Sequence, residues 1–178
     1  VPFNISFISI PVTIIWIVGL TNALNLIDGL DGLASSVGAA VAVGLIVMSV
    51  LSGARYEGVI SASLLGALLG FLVFNHYPAK VFMGDTGSLY IGGIIMGCAI
   101  SQGELLCVII MSFVFIFEML SSLMQRYYFK LTGGKRIFKK APVHHHFQLL
   151  GWSEIKIVTV FFVISVLLSA LGALGALL

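Results

Sequence analysis

Apolar stretches near twenty residues recur along this chain and leave it little choice of fold. They run from about Phe7 to Leu24, Leu33 to Leu51, Val59 to Phe74, Ser88 to Ile100, Leu105 to Tyr128 and Ile155 to Leu177. A spanning helix needs about 20 mostly apolar residues. In lipid, only helices and closed barrels satisfy every backbone polar group internally. The predicted fold is an all-α polytopic membrane protein with six transmembrane helices, forming one transmembrane domain over residues 1–178. Composition agrees: 60% of residues are hydrophobic and 9% charged, far from the balance of a soluble domain. The net charge of +2 is too small to argue for nucleic acid.

Lys and Arg orient the bundle. With the spans alternating, the loops at 22–32, 75–87 and 126–152 fall on one face. That face carries Lys80, Arg126, Lys130, Lys135, Arg136, Lys139 and Lys140, whereas the opposite face carries only Arg55. The basic face is read as cytoplasmic, with both ends of the chain outside. Arg136-Ile137-Phe138-Lys139-Lys140 reads as a basic segment lying in the membrane interface. Gly66 and Gly70, and again Gly93 and Gly97, have the small-xxx-small spacing that lets helices approach closely. Cys98 and Cys107 lack metal-ligand spacing and read as small core residues. Val1-Pro2-Phe3, without Met and directly ahead of an apolar run, reads as a segment whose N-terminal helices are missing.

Three polar islands then share the cytoplasmic side. In the first, Asn22, Asn25, Asp28 and Asp31 repeat every three residues, so neighbouring pairs share a helix face, drifting about 60° per step. The alternative is a polar helix end fraying into water, which needs no such register. Gly29 and Gly32 leave room for a ligand or another part of the chain. The second island, Val81-Phe82-Met83-Gly84-Asp85-Thr86-Gly87-Ser88, holds an acid at the start of an apolar run. Asp85 is either a helix cap or a ligand for a hard cation. Mg²⁺ takes few protein oxygens and completes its shell with water and phosphates, which suits Asp85 with Asn25 and Asp28. The third, Pro142-Val143-His144-His145-His146-Phe147, has consecutive imidazoles that cannot share one helix or strand face. An extended or irregular loop would turn two of them inward. With Arg136, Lys139 and Lys140 nearby they suit phosphate better than zinc. Gln125 is expected to line the same cavity. Glu118, deeper in the fifth span, is either functional or a paired structural carboxylate. His76 reads as a solvated loop residue.

Asn25 to Ala34, Val81 to Ser88 and Ala141 to Phe147, in that order and on one membrane face, resemble the polyprenyl-phosphate N-acetylhexosamine-1-phosphate transferases. The resemblance covers essentially the whole chain. It implies a ten-helix fold, of which this chain would supply the fifth to tenth spans. It further implies a Mg²⁺-dependent enzyme of the bacterial inner membrane with a cytoplasmic active site. Its partners would be a UDP-sugar donor, undecaprenyl phosphate and the lipid bilayer, with a homodimer expected. Carried over residue by residue, Asp85 would bind Mg²⁺, Asn25 and Asp28 would lie at the metal or the substrate phosphates, and Asp28, Asp85 and His144 would be catalytic. Leu26, Asp31, Asn75 and Phe82 would form the uridine pocket, with Phe82 stacking on uracil. Gln125 and Ala141 would line the nucleoside side, and His144, His145 and His146 would meet phosphates or sugar. The uninterrupted His-His-His-Phe, followed by Gly151-Trp152, resembles the branch with a UDP-N-acetylmuramoyl-pentapeptide donor, which makes lipid I for peptidoglycan. The alternative branch uses UDP-N-acetylglucosamine. The family's paired aspartates and lysines on earlier spans have no counterpart here, so the chain is expected to be inactive alone.

Two other classes compete. Asp85-Thr86-Gly87 mimics an aspartic protease motif, but Phe82 stands where an intramembrane protease has its first Gly. A transporter would need ionisable residues near mid-span, and only Glu118 is deep.

Overall fold

The computed structural model describes residues 6–177 and is all-helical over them. The elements are α1 (Ser6–Ile27), α2 (Leu33–Ser52), α3 (Arg55–Asn75), α4 (Gly84–Gln102), α5 (Leu105–Met111), α6 (Phe113–Leu131), α7 (Val143–Leu149) and α8 (Glu154–Gly175). The reading of Val1-Pro2-Phe3 lies outside the described residues.

The helix α2 is the axis of the bundle. Every residue from Leu33 to Ala42 is buried, because its Ala, Gly, Ser and Val side chains let neighbours close in from all sides. It packs against α3 and α8, while α1 packs against α4 and α6. Gly32 starts α2 at φ 77°, a left-handed conformation that favours glycine.

By length and apolarity, α1, α2, α3 and α8 can each cross a membrane, and this is a multi-pass membrane protein. The six expected spans are not all recovered. The fifth is broken at Ser112 into α5 and α6, which meet at 72°. No Pro or Gly marks the break. Packing imposes it: α5 lies against α8, where a Cβ on Gly172 would come within 2.7 Å of the Cys107 carbonyl, while α6 turns toward α1. The fourth is a full 19-residue helix, α4, but Gly84, Asp85 and Gln102 at its ends keep it short of a spanning composition.

Other expectations are corrected by geometry. Gly66, Gly70, Gly93 and Gly97 face open space, and the close approaches fall instead at Gly92, beside Thr21, and at Gly172. The histidines lie on a short helix, α7, not in an extended or irregular loop. Cys98 and Cys107 are buried and free, and His76 is exposed, as expected.

Candidate active site

α1 runs three residues beyond the expected span, to Ile27, and puts Asn25 on its last turn facing the start of α4. Asn25 Nδ2 donates to Asp85 Oδ1 at 2.8 Å and approaches Ser88 Oγ at 3.1 Å. The first two islands are thereby joined across 60 residues of sequence. Asp85 is not the helix cap. Met83 holds that position without a side-chain bond, and Asp85 lies in the first turn, where the helix dipole favours a carboxylate. Asn22 turns away, donating to the Val18 carbonyl on its own helix.

Asp28, just past α1, is half-buried. Burial pushes its carboxyl up from 3.8 to about 6; the Gly84 backbone hydrogen bond opposes that rise and the nearby Asp85 charge adds to it. Two carboxylates and a carboxamide therefore converge. No group of three or more His, Cys, Asp or Glu side chains able to hold a metal forms among the described residues. A site of two carboxylates with an amide fits Mg²⁺, which leaves most positions to water and phosphate, and a cation there would offset the cost of ionising Asp28.

The third island closes from the other side. Ser121 Oγ accepts from the Val143 N–H at 3.1 Å and pins the start of α7 to α6. One helical turn before Ser121, Glu118 Oε2 lies 3.1 Å from His144 Nδ1, with both side chains fully buried. The His144 Nε2 reaches Gly29 so closely that a Cβ there would stand 2.7 Å away; His145 Nε2 would lie at 3.7 Å. Helical steps of about 100° send the three rings different ways. His145 Nδ1 meets Gln148 Oε1 at 2.7 Å, and His146 Nδ1 accepts from the Lys139 N–H at 3.0 Å. Burial, as the largest cause, lowers the His145 pKa.

The expected nucleoside residues divide. Leu26, Gln125 and Ala141 line one cavity of about 690 Å³, together with Arg126, Lys130, Arg136 and Lys140. Gln125 also clamps the basic loop: its Oε1 accepts from the Ile137 and Phe138 N–H groups and its Nε2 donates to the Phe138 carbonyl. Asp31 and Asn75 sit elsewhere. Asp31 Oδ2 accepts from the Ala79 N–H, while buried Asn75 accepts from Ser35 Oγ and donates to the Val81 carbonyl. Phe82 is 75% exposed and stacks on no ring among the described residues.

Sequence reasoning missed Ser121, Gln148 and the Glu154 that accepts from Gln148 Nε2. Glu118 and Ser121, three apart on one helix face of an apolar span, were the available signal.

Comparison with known proteins bears on this site. The family model described as glycosyl transferase family 4 matches residues 1–103, which include the first two islands. A "Phospho-N-acetylmuramoyl-pentapeptide-transferase" of Clostridium botulinum (strain Eklund 17B / Type B) is 47% identical over 169 residues, covering 95% of this chain and 52% of that protein. Proteins of the same name from Staphylococcus saprophyticus and Staphylococcus aureus (strain JH9) are 45% and 46% identical over 172 residues, covering 97% of this chain and 53% of each. The chain thus spans about half the length of the curated relatives it matches. The family match covers more than half of the chain and includes the Asn25–Asp85 contact, so the chain belongs to glycosyl transferase family 4.

Proposed function

We propose that this chain carries the C-terminal half of a phosphotransferase that moves phospho-N-acetylmuramoyl-pentapeptide from its UDP-linked donor to undecaprenyl phosphate. UMP leaves, and lipid I forms for peptidoglycan synthesis. The single observation that carries the reading is the meeting of the three islands, Asn25 on Asp85 and His144 on Gly29, at one end of an apolar bundle. The relatives' shared name supports the choice of donor.

In this reaction an oxygen of the lipid phosphate attacks the sugar-linked phosphorus of the donor. The bond from that phosphorus to the UMP oxygen breaks, and UMP takes the electron pair. Such transfers depend mostly on positioning and charge neutralisation. Asp85 and Asp28, with Asn25, would hold Mg²⁺, which neutralises phosphate charge when bound. Asn25 fixes the Asp85 carboxylate through its Nδ2–H. The cationic rim of Arg126, Lys130, Arg136 and Lys140 suits the donor's diphosphate, with Leu26 and Ala141 offering the base an apolar wall. The basic loops favour a cytoplasmic site in a bacterial inner membrane. The homodimer is part of the same proposal.

The test is Mg²⁺-dependent UMP release in detergent, with undecaprenyl phosphate, by a full-length protein carrying this chain. Release from the muramoyl-pentapeptide donor alone, lost in Asp85→Asn, is the expected result. Release from UDP-N-acetylglucosamine instead would move the function to the other branch. No release from either by a folded protein would sink the transferase reading.

A further inference from the structure

We propose that Gln148 and Glu154 are positioning residues that keep the His145 proton on Nδ1 and so present its Nε2 as a hydrogen-bond acceptor for an O–H or N–H group of the UDP-sugar. The identity of that ligand rests on the transferase reading above; the placement of the proton does not.

The relay starts at a carboxylate. Glu154 Oε1 accepts from Gln148 Nε2 at 3.2 Å. A carboxylate only accepts, so the amide must turn its NH₂ group to Glu154; a flipped amide would set oxygen against oxygen. That leaves Gln148 Oε1 facing His145 Nδ1, 2.7 Å away. An amide oxygen also only accepts, so Nδ1 carries the proton. The other nitrogen of a neutral imidazole is then an acceptor.

The backbone holds this relay in place. His145 and Gln148 are three apart on α7 and share a face. The turn into α8 is closed by three bonds: the Leu150, Gly151 and Trp152 N–H groups donate to the His146, Gln148 and Phe147 carbonyls. Trp152 stacks on Phe147 with ring centres 4.7 Å apart, and Ser153 Oγ caps α8 by accepting from the Lys156 N–H. Glu154, the next residue, is thereby fixed relative to α7.

The acceptor is not sealed in. His145 is part-buried, unlike the fully buried His144, and its Nε2 has no partner among the described residues. Nε2 lies 3.7 Å from where a Cβ on Gly29 would stand, beside Asp28. Burial is the largest influence on the ring and lowers its pKa. The Gln148 hydrogen bond and the Glu118 charge oppose that, and the His144 and Lys140 charges add to it. The ring is therefore neutral at pH 7. A lone pair on Nε2 repels ionised phosphate oxygens, which are acceptors themselves. Of the two substrates, the UDP-sugar carries hydroxyl and amide N–H groups, whereas the prenyl phosphate offers phosphate oxygens and hydrocarbon. The orientation of His145 thus selects the UDP-sugar.

The experiment uses the full-length protein in detergent with Glu154→Ala, Glu154→Gln and Gln148→Ala, and ¹⁵N-histidine spectra assigned with His145→Gln. The expected spectrum has the proton on His145 Nδ1 and a bare Nε2. Glu154→Ala frees the amide to flip and mixes the tautomers, and Glu154→Gln, which keeps an acceptor, restores the parent spectrum. In turnover, Glu154→Ala and Gln148→Ala raise KM for the UDP-sugar roughly three- to tenfold, the scale of a neutral hydrogen bond. KM for undecaprenyl phosphate stays within about twofold, and Glu154→Gln recovers the parent value. Inhibition by UDP locates the group: it is unchanged in the variants if the group is on the acylated sugar, and weakened in step if it is on the nucleoside. A proton on Nε2 in the parent, a rise in KM for undecaprenyl phosphate instead, or folded variants with both KM values within about twofold overturns the proposal. If Gln148→Ala does not fold, the parent spectrum and the two Glu154 variants decide. If the parent turns over neither UDP-sugar, the transferase reading fails while the spectra still decide the position of the proton.

Discussion

Gly29→Ala is the smallest change that tests the packing of the site. The new methyl would stand 2.7 Å from His144 Nε2 and 3.3 Å from its Cε1, well inside van der Waals contact. A ring at the end of a free side chain would swing aside. His144 has no such freedom: it is fully buried, its Nδ1 is held by Glu118, and its backbone is pinned through Val143 to Ser121. Gly29 does not have the positive φ of Gly32, so backbone strain adds nothing and the effect is steric. Forcing an extra carbon into a packed site costs typically about 1–3 kcal/mol. The assay is a double-mutant cycle with His144→Ala, read by thermal or denaturant unfolding in detergent. Alanine at 144 removes the obstructing ring, so Gly29→Ala in that background should fall within about 0.5 kcal/mol of neutral. The difference between the two backgrounds, at least about 1 kcal/mol, is the coupling. Equal costs in both backgrounds, or no cost in the parent, would refute a close and rigid approach of His144 to Gly29.

Asp28→Asn should flatten a pH dependence. With the folded carboxyl at about 6 against an unfolded 3.8, protonation stabilises the fold, fully below about pH 4, and the contribution is lost as pH rises through 6. The rise corresponds to about 3 kcal/mol at 1.36 per pH unit, reduced to roughly 1–1.5 because the group is half-exposed to solvent. Metal-free unfolding between pH 4 and 7 checks this, and an unchanged slope in the variant counts against it. Gln125→Ala removes three hydrogen bonds to the 137–138 backbone and should open that loop to trypsin at Arg136 and Lys139 severalfold faster, with helix content unchanged by circular dichroism. Asn75→Ala leaves buried Ser35 Oγ and the Val81 carbonyl without their partner, at a cost of about 1–3 kcal/mol in unfolding free energy.

The apolar periodicity made the bundle legible, and Lys and Arg made the shared face legible, because both follow from solvent chemistry that acts on the chain directly. The Asn25, Asp85 and His144 cluster was also legible, since hard-oxygen donors and imidazoles at span ends have few other uses. Less legible was anything imposed by a neighbour. The bend at Ser112 carries no Pro or Gly and depends on the fit of α5 to α8 at Gly172. The small-xxx-small pairs of α3 and α4 gave the right motif for close packing, but neighbours close in at Gly92 and Gly172 instead. α7 was read as irregular because three histidines cannot share a face; the fold uses that very property to give each ring its own partner.

Those partners divide the polar residues into two kinds. Asp31, Asn75 and Gln125 use their side chains to hold backbone: Ala79, Val81, Ile137 and Phe138. Gln125 and Asn75 each have both ends of the amide engaged, so a ligand could be read by them only after a loop gave way. Asp28, Asp85 and His144 differ. At the junction of α1, α4 and α7, Asp85 is an exposed carboxylate beside Asn25, Asp28 is a half-buried carboxyl that burial disfavours ionising, and His144 keeps an unpartnered Nε2. A fold selected for stability alone would neutralise or pair such atoms. Substitutions in the first group should therefore lower stability first and activity through it, whereas Asp28→Asn should lower activity while leaving the fold as stable or more so. Measuring both quantities on Asn75→Ala and Asp28→Asn separates the two kinds, and a large loss of stability in Asp28→Asn would erase the distinction.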